Sequence, residues 1–177
     1  MVPGDNTRPI TDRAKESLFN ILQPSLPNSL WLDLFGGTGA VGIEGLSRGA
    51  AHCTFVELYR PVLNVLAQNL AHTGLGERAT LAQADAFAYL KRPPKPVNVL
   101  YIAPPQYQNM WVRALDVLQD HPGWLLPEGE AIIQIHPRES RNVPDYITNW
   151  PAFELTDERK YGSTLFLFYQ LVGAKQD

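Results

Sequence analysis

One cysteine, Cys53, is all the chain has, so a disulfide framework is excluded and no metal site is expected. Lying in an apolar run, it reads as a small buried hydrophobe suited to a reducing cytoplasm. No apolar stretch reaches the roughly 20 residues that a membrane span needs, and the polar start Met1-Val2-Pro3-Gly4-Asp5-Asn6 lacks the shape of a signal peptide. Cytoplasmic location without a membrane partner is the expectation. A dominant charge is also missing: 15 Lys and Arg stand against 18 Asp and Glu, for a net charge of −3. Nothing global therefore advertises nucleic-acid binding, and any such contact must be local. What remains is an ordinary globular composition, 45% hydrophobic over 177 residues. That length predicts one domain over residues 1–177, with an N-terminal lead and helix in 1–28 and a sheet in 29–177, and a monomer is the expectation.

The most informative stretch is Leu30–Gly45, an apolar run that meets a cluster of glycines and then turns helical. Leu30, Trp31, Leu32, Leu34 and Phe35 suit a strand covered by helices on both faces. Asp33 is its only charge. Gly36, Gly37 and Gly39 let the backbone take positive φ and approach a ligand closely. From Thr38 to Leu46 the spacing of Val41, Ile43 and Leu46 predicts a helix whose first N–H groups face a polar ligand. Gly37-Thr38-Gly39-Ala40-Val41-Gly42 matches the dinucleotide pattern G-x-G-x-x-G, with Glu57 near the spacing of a ribose-binding acid. The alternative is S-adenosylmethionine, since an acid followed by Gly-Gly-Thr-Gly more closely resembles class I methyltransferases.

Upstream, Thr11 is a candidate N-cap for an amphipathic helix carrying Leu18, Phe19, Ile21 and Leu22. Downstream, Gly49 is placed to end the glycine-turn helix, and His52–Leu58 reads as a strand ending near Glu57. Pro61 opens the next helix, which runs to Gly74. A third strand at Ala79–Ala84 leads to Asp85, an N-cap for Ala86–Leu90. The basic, proline-stiffened loop Lys91–Pro96 precedes a fourth strand, Val97–Ile102, which runs into Ala103-Pro104-Pro105-Gln106-Tyr107. Asn109–His121 is the next helix and Ala131–His136 the fifth strand. His136, with no partner at ligand spacing, reads as structural or RNA-facing. Phe153–Leu155 and Thr164–Tyr169 look like paired strands.

Thr7-Arg8-Pro9-Ile10-Thr11-Asp12-Arg13, with Glu16-Ser17-Leu18-Phe19-Asn20 following, is similar to the opening of bacterial 16S ribosomal RNA guanine-N2 methyltransferases of the RsmD family. The resemblance continues through Trp31–Glu44, Gly45-Leu46-Ser47-Arg48-Gly49-Ala50 and the closing Arg159-Lys160-Tyr161-Gly162-Ser163-Thr164, so it covers nearly everything after Thr7. It implies a Rossmann-like class I fold, a seven-stranded mixed sheet with an antiparallel last strand and helices on both faces. It also implies methyl transfer from S-adenosylmethionine, with S-adenosylhomocysteine as product, to the 2-amino group of a guanine. The implied partner is 16S ribosomal RNA or an assembling small-subunit particle. The cofactor would be held by Thr11, Asp33, Phe35, Gly36, Gly37, Thr38, Gly39, Glu57, Leu58, Asp85 and Ala86. Arg8, Lys15, Arg159 and Tyr161 would meet the RNA. Members of the family usually open with a basic hairpin, whereas six residues precede Thr7 here.

The end of the fourth strand resembles the acid-Pro-Pro-aromatic motif of class I enzymes that methylate exocyclic amino groups of bases. An exocyclic amine has its lone pair delocalised into the ring, so its N–H groups must be held by acceptors and its lone pair aimed at the methyl group. Adjacent prolines fix φ and present carbonyls, while an aromatic stacks on a base taken out of the RNA stack. Ala103, Pro104, Pro105, Gln106 and Tyr107 inherit this role. Two positions differ: Ala103 stands at the acid and Gln106 at the aromatic, with Tyr107 one place later. Readings kept alongside are a cofactor-binding homologue with weak or lost activity, a DNA or other RNA amino-methyltransferase, and an NAD-dependent dehydrogenase.

Overall fold

The apolar run that opens the cradle becomes β1 (Leu30–Asp33) in a computed structural model that describes residues 10–141 and 149–173. Alongside it lie β2 (His52–Glu57), β3 (Ala79–Gln83), β4 (Val97–Ile102) and β5 (Leu125–Ile135), all parallel. β7 (Thr164–Leu171) is antiparallel to β5 on one side and to β6 (Phe153–Tyr161) on the other. The resulting order is β3-β2-β1-β4-β5-β7-β6. An antiparallel strand inserted before the edge is foreign to the dinucleotide fold, whose order is 3-2-1-4-5-6, so the NAD reading is set aside.

Successive residues of a strand point to opposite faces, which divides the core in two. On one face α1 (Asp12–Leu22), α2 (Ala40–Ser47) and α3 (Arg60–Thr73) bury Leu18, Phe19, Leu46 and Leu66 against Trp31, Phe55, Tyr101 and Phe166. On the other, α4 (Ala86–Leu90) and α5 (Met110–Asp120) bury Phe87 and Leu115 against Leu32, Leu100, Ile133 and Leu167. Each such side chain withdrawn from water contributes about 1.5–3 kcal/mol. Phe19 stacks on Trp31 at 5.8 Å and 10°, which docks α1 over the sheet. Among the described residues no helix is long and apolar enough to cross a membrane.

The fifth strand departs from the sequence expectation, starting at Leu125 rather than Ala131. The turn formers Pro127, Glu128 and Gly129 are absorbed into the strand by a register shift opposite Val97 and Val99. Only a glycine serves there, because a Cβ on Gly129 would stand 2.8 Å from the Val97 carbonyl oxygen. Smaller differences fall at the ligand-facing ends: β1 stops at Asp33 and α2 begins at Ala40, so Leu34–Gly39 is all turn. The chain winds outward from β1 to β3, then returns to place β4 on the other side of β1. That reversal is the topological switch point, where open α/β sheets bind ligands.

Candidate functional site

Two turns leave the sheet side by side at this switch point. Asp33 pairs with Tyr101 in the parallel register, and the Leu34 N–H donates to the Tyr101 carbonyl at 2.9 Å. The glycine turn after β1 and the proline turn after β4 thus start on neighbouring strands, about 5 Å apart. On the other flank, Gly36 N–H donates to the Val56 carbonyl at 2.8 Å, bringing the end of β2 against the same turn.

The glycine turn is shaped by what its residues lack. Gly37 and Gly39 have φ of +52° and +88°, a region that favours glycine. A Cβ on Gly39 would stand 2.3 Å from Leu66 Cδ1 and 2.7 Å from Ile43 Cδ1. The turn is also pinned by hydrogen bonds: Asn69 Nδ2 donates to the Thr38 carbonyl at 2.9 Å, and Gly37 N–H to Glu57 Oε2 at 3.0 Å. Glu57 Oε1 accepts from Tyr59 N–H at 2.7 Å. Each carboxylate oxygen has a second lone-pair direction left for a ligand. Beside it Leu58 and Tyr59 are 62% and 54% exposed, an apolar lip over the cleft.

At the end of β3, Asp85 Oδ1 accepts from Ala88 N–H at 2.8 Å and caps α4, with Ala86 buried behind it. Phe35, half-buried, meets Phe87 edge to face at 6.2 Å, closing the floor between β1 and α4. Asp33 does not line the crevice: it is 3% exposed, beneath the start of α2. Burial pushes its carboxyl up to about 7, opposed by the backbone N–H groups of Gly42 and Phe35 and reinforced by the charge of Glu57. Its place is under the turn, where it can orient the turn but not lie in the open cleft. Its Oδ1 has no hydrogen-bond partner among the described residues.

In the proline turn Pro104 is buried, Ala103, Pro105 and Gln106 are half-buried, and Tyr107 is 58% exposed. Tyr107 and Asn109 both take left-handed backbone, φ +62° and +51°. Two non-glycine residues so placed within three positions are a feature of functional loops held by their surroundings. The holding group is Glu139, 2% exposed, whose Oε2 accepts from Tyr107 N–H at 3.0 Å. The sequence reading missed Glu139, although His136-Pro137-Arg138-Glu139 has the spacing of a capping box with proline at the first helical position.

The residues expected to meet RNA are more scattered. Lys15 Nζ lies 3.5 Å from Glu44 in a half-buried pair, and Arg159 Nε donates to Asp157 at 2.8 Å in an exposed one, so both cations are engaged. Thr11 caps α1, accepting from Ala14 N–H at 3.3 Å. Tyr161 packs edge to face on Phe166 at 6.1 Å. It pairs with Thr164 at the β6–β7 hairpin, and Leu165 pairs with Ile135, so the hairpin tip stands at the same C-terminal end of the parallel strands as the two turns. Arg8 lies outside the described residues. A hollow of about 310 Å³ lined by Lys15, Thr38, Gly39, Asn69 and His72, among others, shares the glycine turn but includes none of Glu57, Asp85 or Ala103. Among the described residues no group of acids, histidines and cysteines could hold a metal.

Comparison with known proteins bears on the family and the fold. The family model described as Conserved hypothetical protein 95 matches residues 1–170. The chain is 34% identical over 163 residues to ribosomal RNA small subunit methyltransferase D of Escherichia coli, covering 92% of this chain and 79% of that protein. Against the protein of the same name from Haemophilus influenzae it is 32% identical over 170 residues, covering 94% and 84%. The solved structure of Escherichia coli yhhF matches with a TM-score of 0.81 at 32% identity, over 95% of this chain and 89% of that one.

Proposed function

We propose, since the chain belongs to the Conserved hypothetical protein 95 family, that it transfers a methyl group from S-adenosylmethionine to the exocyclic 2-amino group of a guanine in 16S ribosomal RNA. The observation that carries the reading is the register of β1 against β4, which sets a glycine turn and a proline turn on adjacent strands at the switch point. Likeness to proteins named ribosomal RNA small subunit methyltransferase D supports the substrate class.

The residues present fit the cofactor. Gly39, whose side-chain space is filled by Leu66 and Ile43, and Gly37, whose φ is +52°, leave a backbone cradle without protruding Cβ atoms. The remaining lone pairs of Glu57 suit two ribose hydroxyls, exposed Leu58 suits one face of adenine, and the Asp85–Ala86 backbone suits its edge. Gly36, Gly37, Thr38 and Gly39 take the methionine end, with Asp33 orienting the turn from below and Phe35 closing the floor. Bound there, the cofactor supplies an electrophilic methyl group on a sulfonium.

The proline turn holds the nucleophile. With alanine at position 103, the acceptors for the guanine N–H groups are the Ala103 and Pro104 carbonyls and the Gln106 side-chain oxygen. These orient the nitrogen lone pair, and Tyr107 offers an exposed ring on which the base stacks. Transfer would break the bond between the methyl group and the sulfonium, leaving a neutral thioether, and the methylated nitrogen would lose its proton to water, so no strong base among these residues is needed. The enzyme works as a cytoplasmic monomer folded as one domain, on 16S RNA free or within an assembling subunit. Lys15, Arg159, Tyr161 and the hairpin tip touch the backbone of the RNA.

Small subunits from cells lacking this modification, incubated with methyl-labelled cofactor and digested to nucleosides, are expected to yield N2-methylguanosine. S-adenosylhomocysteine at 100 times its dissociation constant should stabilise the fold by about 2.7 kcal/mol. Stabilisation without label in any nucleoside would leave a cofactor-binding homologue and overturn the enzymatic reading.

A further inference from the structure

We propose that Glu139 is a positioning residue of the amine site, one that aims Tyr107 by gripping its backbone, an inference that rests on the reading of the proline turn given above. The carboxyl group of Glu139 is buried, 2% exposed, and serves two masters. Its Oε1 accepts from His136 N–H at 3.1 Å, while its own N–H donates to the His136 carbonyl at 2.9 Å. His136 Nδ1 in turn accepts from Arg138 N–H at 3.1 Å. Together these form a capping box for α6 (Pro137–Arg141), with histidine as the cap.

A capping box needs one carboxyl oxygen, and here the second reaches 32 residues back along the chain to Tyr107 N–H at 3.0 Å. That bond holds Tyr107 at φ +62°, a backbone state that side-chain-bearing residues keep only under external restraint. The consequence is directional. Tyr107 comes one place later than the aromatic it replaces, in a turn beyond the end of β4, so the direction of its ring is set by the local backbone rather than by strand alternation. The left-handed turn aims it. The ring ends 5.8 Å from the His136 ring at 45°, so the histidine backs the tyrosine while the tyrosine stays 58% exposed to a base.

Glutamine at this capping-box position still caps a helix but has only one acceptor oxygen for two N–H groups. E139Q therefore separates the grip on Tyr107 from the folding of α6. The readouts are Tyr107 amide exchange by NMR, thermal stability, and kcat and KM for methyl transfer, in E139Q, Y107A and the double variant. Faster exchange at Tyr107 with near-wild-type stability is expected, along with a fall in kcat of up to about 100-fold, the cost of an ångström of misplacement. KM for the cofactor should hold. In the Y107A background, E139Q should cost less than about threefold more, since coupled residues are non-additive. An equal loss from E139Q with or without Tyr107, or an unchanged rate and a still-protected Tyr107 amide, overturns the proposal. Absence of methyl transfer by the wild-type protein would instead sink the enzymatic reading, and the exchange measurement would still decide the grip.

Discussion

The glycine turn and the proline turn leave adjacent strands, yet they are held in opposite ways. After β1 the shape comes from absent side chains: Gly39 fits because Leu66 and Ile43 occupy the space its Cβ would need. After β4 it comes from imposed backbone, with two prolines fixing φ and Glu139 fixing Tyr107 from another element. The difference follows from the task of each. A cofactor approached by backbone N–H groups needs room, whereas an amine aimed at a methyl group needs fixed acceptors.

The comparison is broken most sharply by G39A. A Cβ forced into φ +88° and 2.3 Å from Leu66 should cost about 3 kcal/mol of stability, read by urea denaturation, and abolish S-adenosylhomocysteine binding by calorimetry. Q106A tests the other turn: removing an acceptor that holds the guanine amine in line with the methyl group should lower kcat by about 100-fold while leaving cofactor affinity intact. A change in cofactor affinity instead would merge the two turns into one function.

Asp33 sharpens the comparison through pH. Its folded-state carboxyl sits at about 7 against an ordinary 3.8, so between those values the folded chain keeps a proton that the unfolded chain has lost. Stability from this group is therefore greatest in acid, falls as pH rises, and levels off above about 7. Relative to D33N, the wild type should lose about 2 kcal/mol between roughly pH 5 and 7, by denaturation at each pH. A flat difference would mean that Asp33 is ionised throughout. The smallest effect is expected at R159A, whose exposed pair with Asp157 is worth less than about 1 kcal/mol. Its loss should appear as a modest rise in KM for RNA with unchanged stability.

Much of the fold was legible because the strands on both sides of the switch point are apolar and punctuated by glycine or proline. Val97–Ile102 emerges with the bounds read from sequence, and Asp85 and Thr11 cap the helices assigned to them. β5 was misjudged because Pro127-Glu128-Gly129 carries turn chemistry that a bulge beside Val97 absorbs, a tertiary override of local preference. In the site, the motifs marked which residues gather, but not their exposure. Asp33 is charged and next to the glycines, yet only packing shows that it lies beneath them. For Glu139 the capping-box spacing with His136 marks only a local role, while its contact with Tyr107 spans 32 residues and shows in no motif.

The central claim is that the turns after β1 and β4 open into one groove. Amide hydrogen exchange with and without S-adenosylhomocysteine tests it most directly. The account predicts slowed exchange at Gly36–Gly39, at Leu58 and Tyr59, at Ala86 and at Ala103, all at the C-terminal ends of the parallel strands. Protection confined to Lys15, Asn69 and His72 around the neighbouring hollow, with Leu58 and Ala103 unchanged, would contradict it.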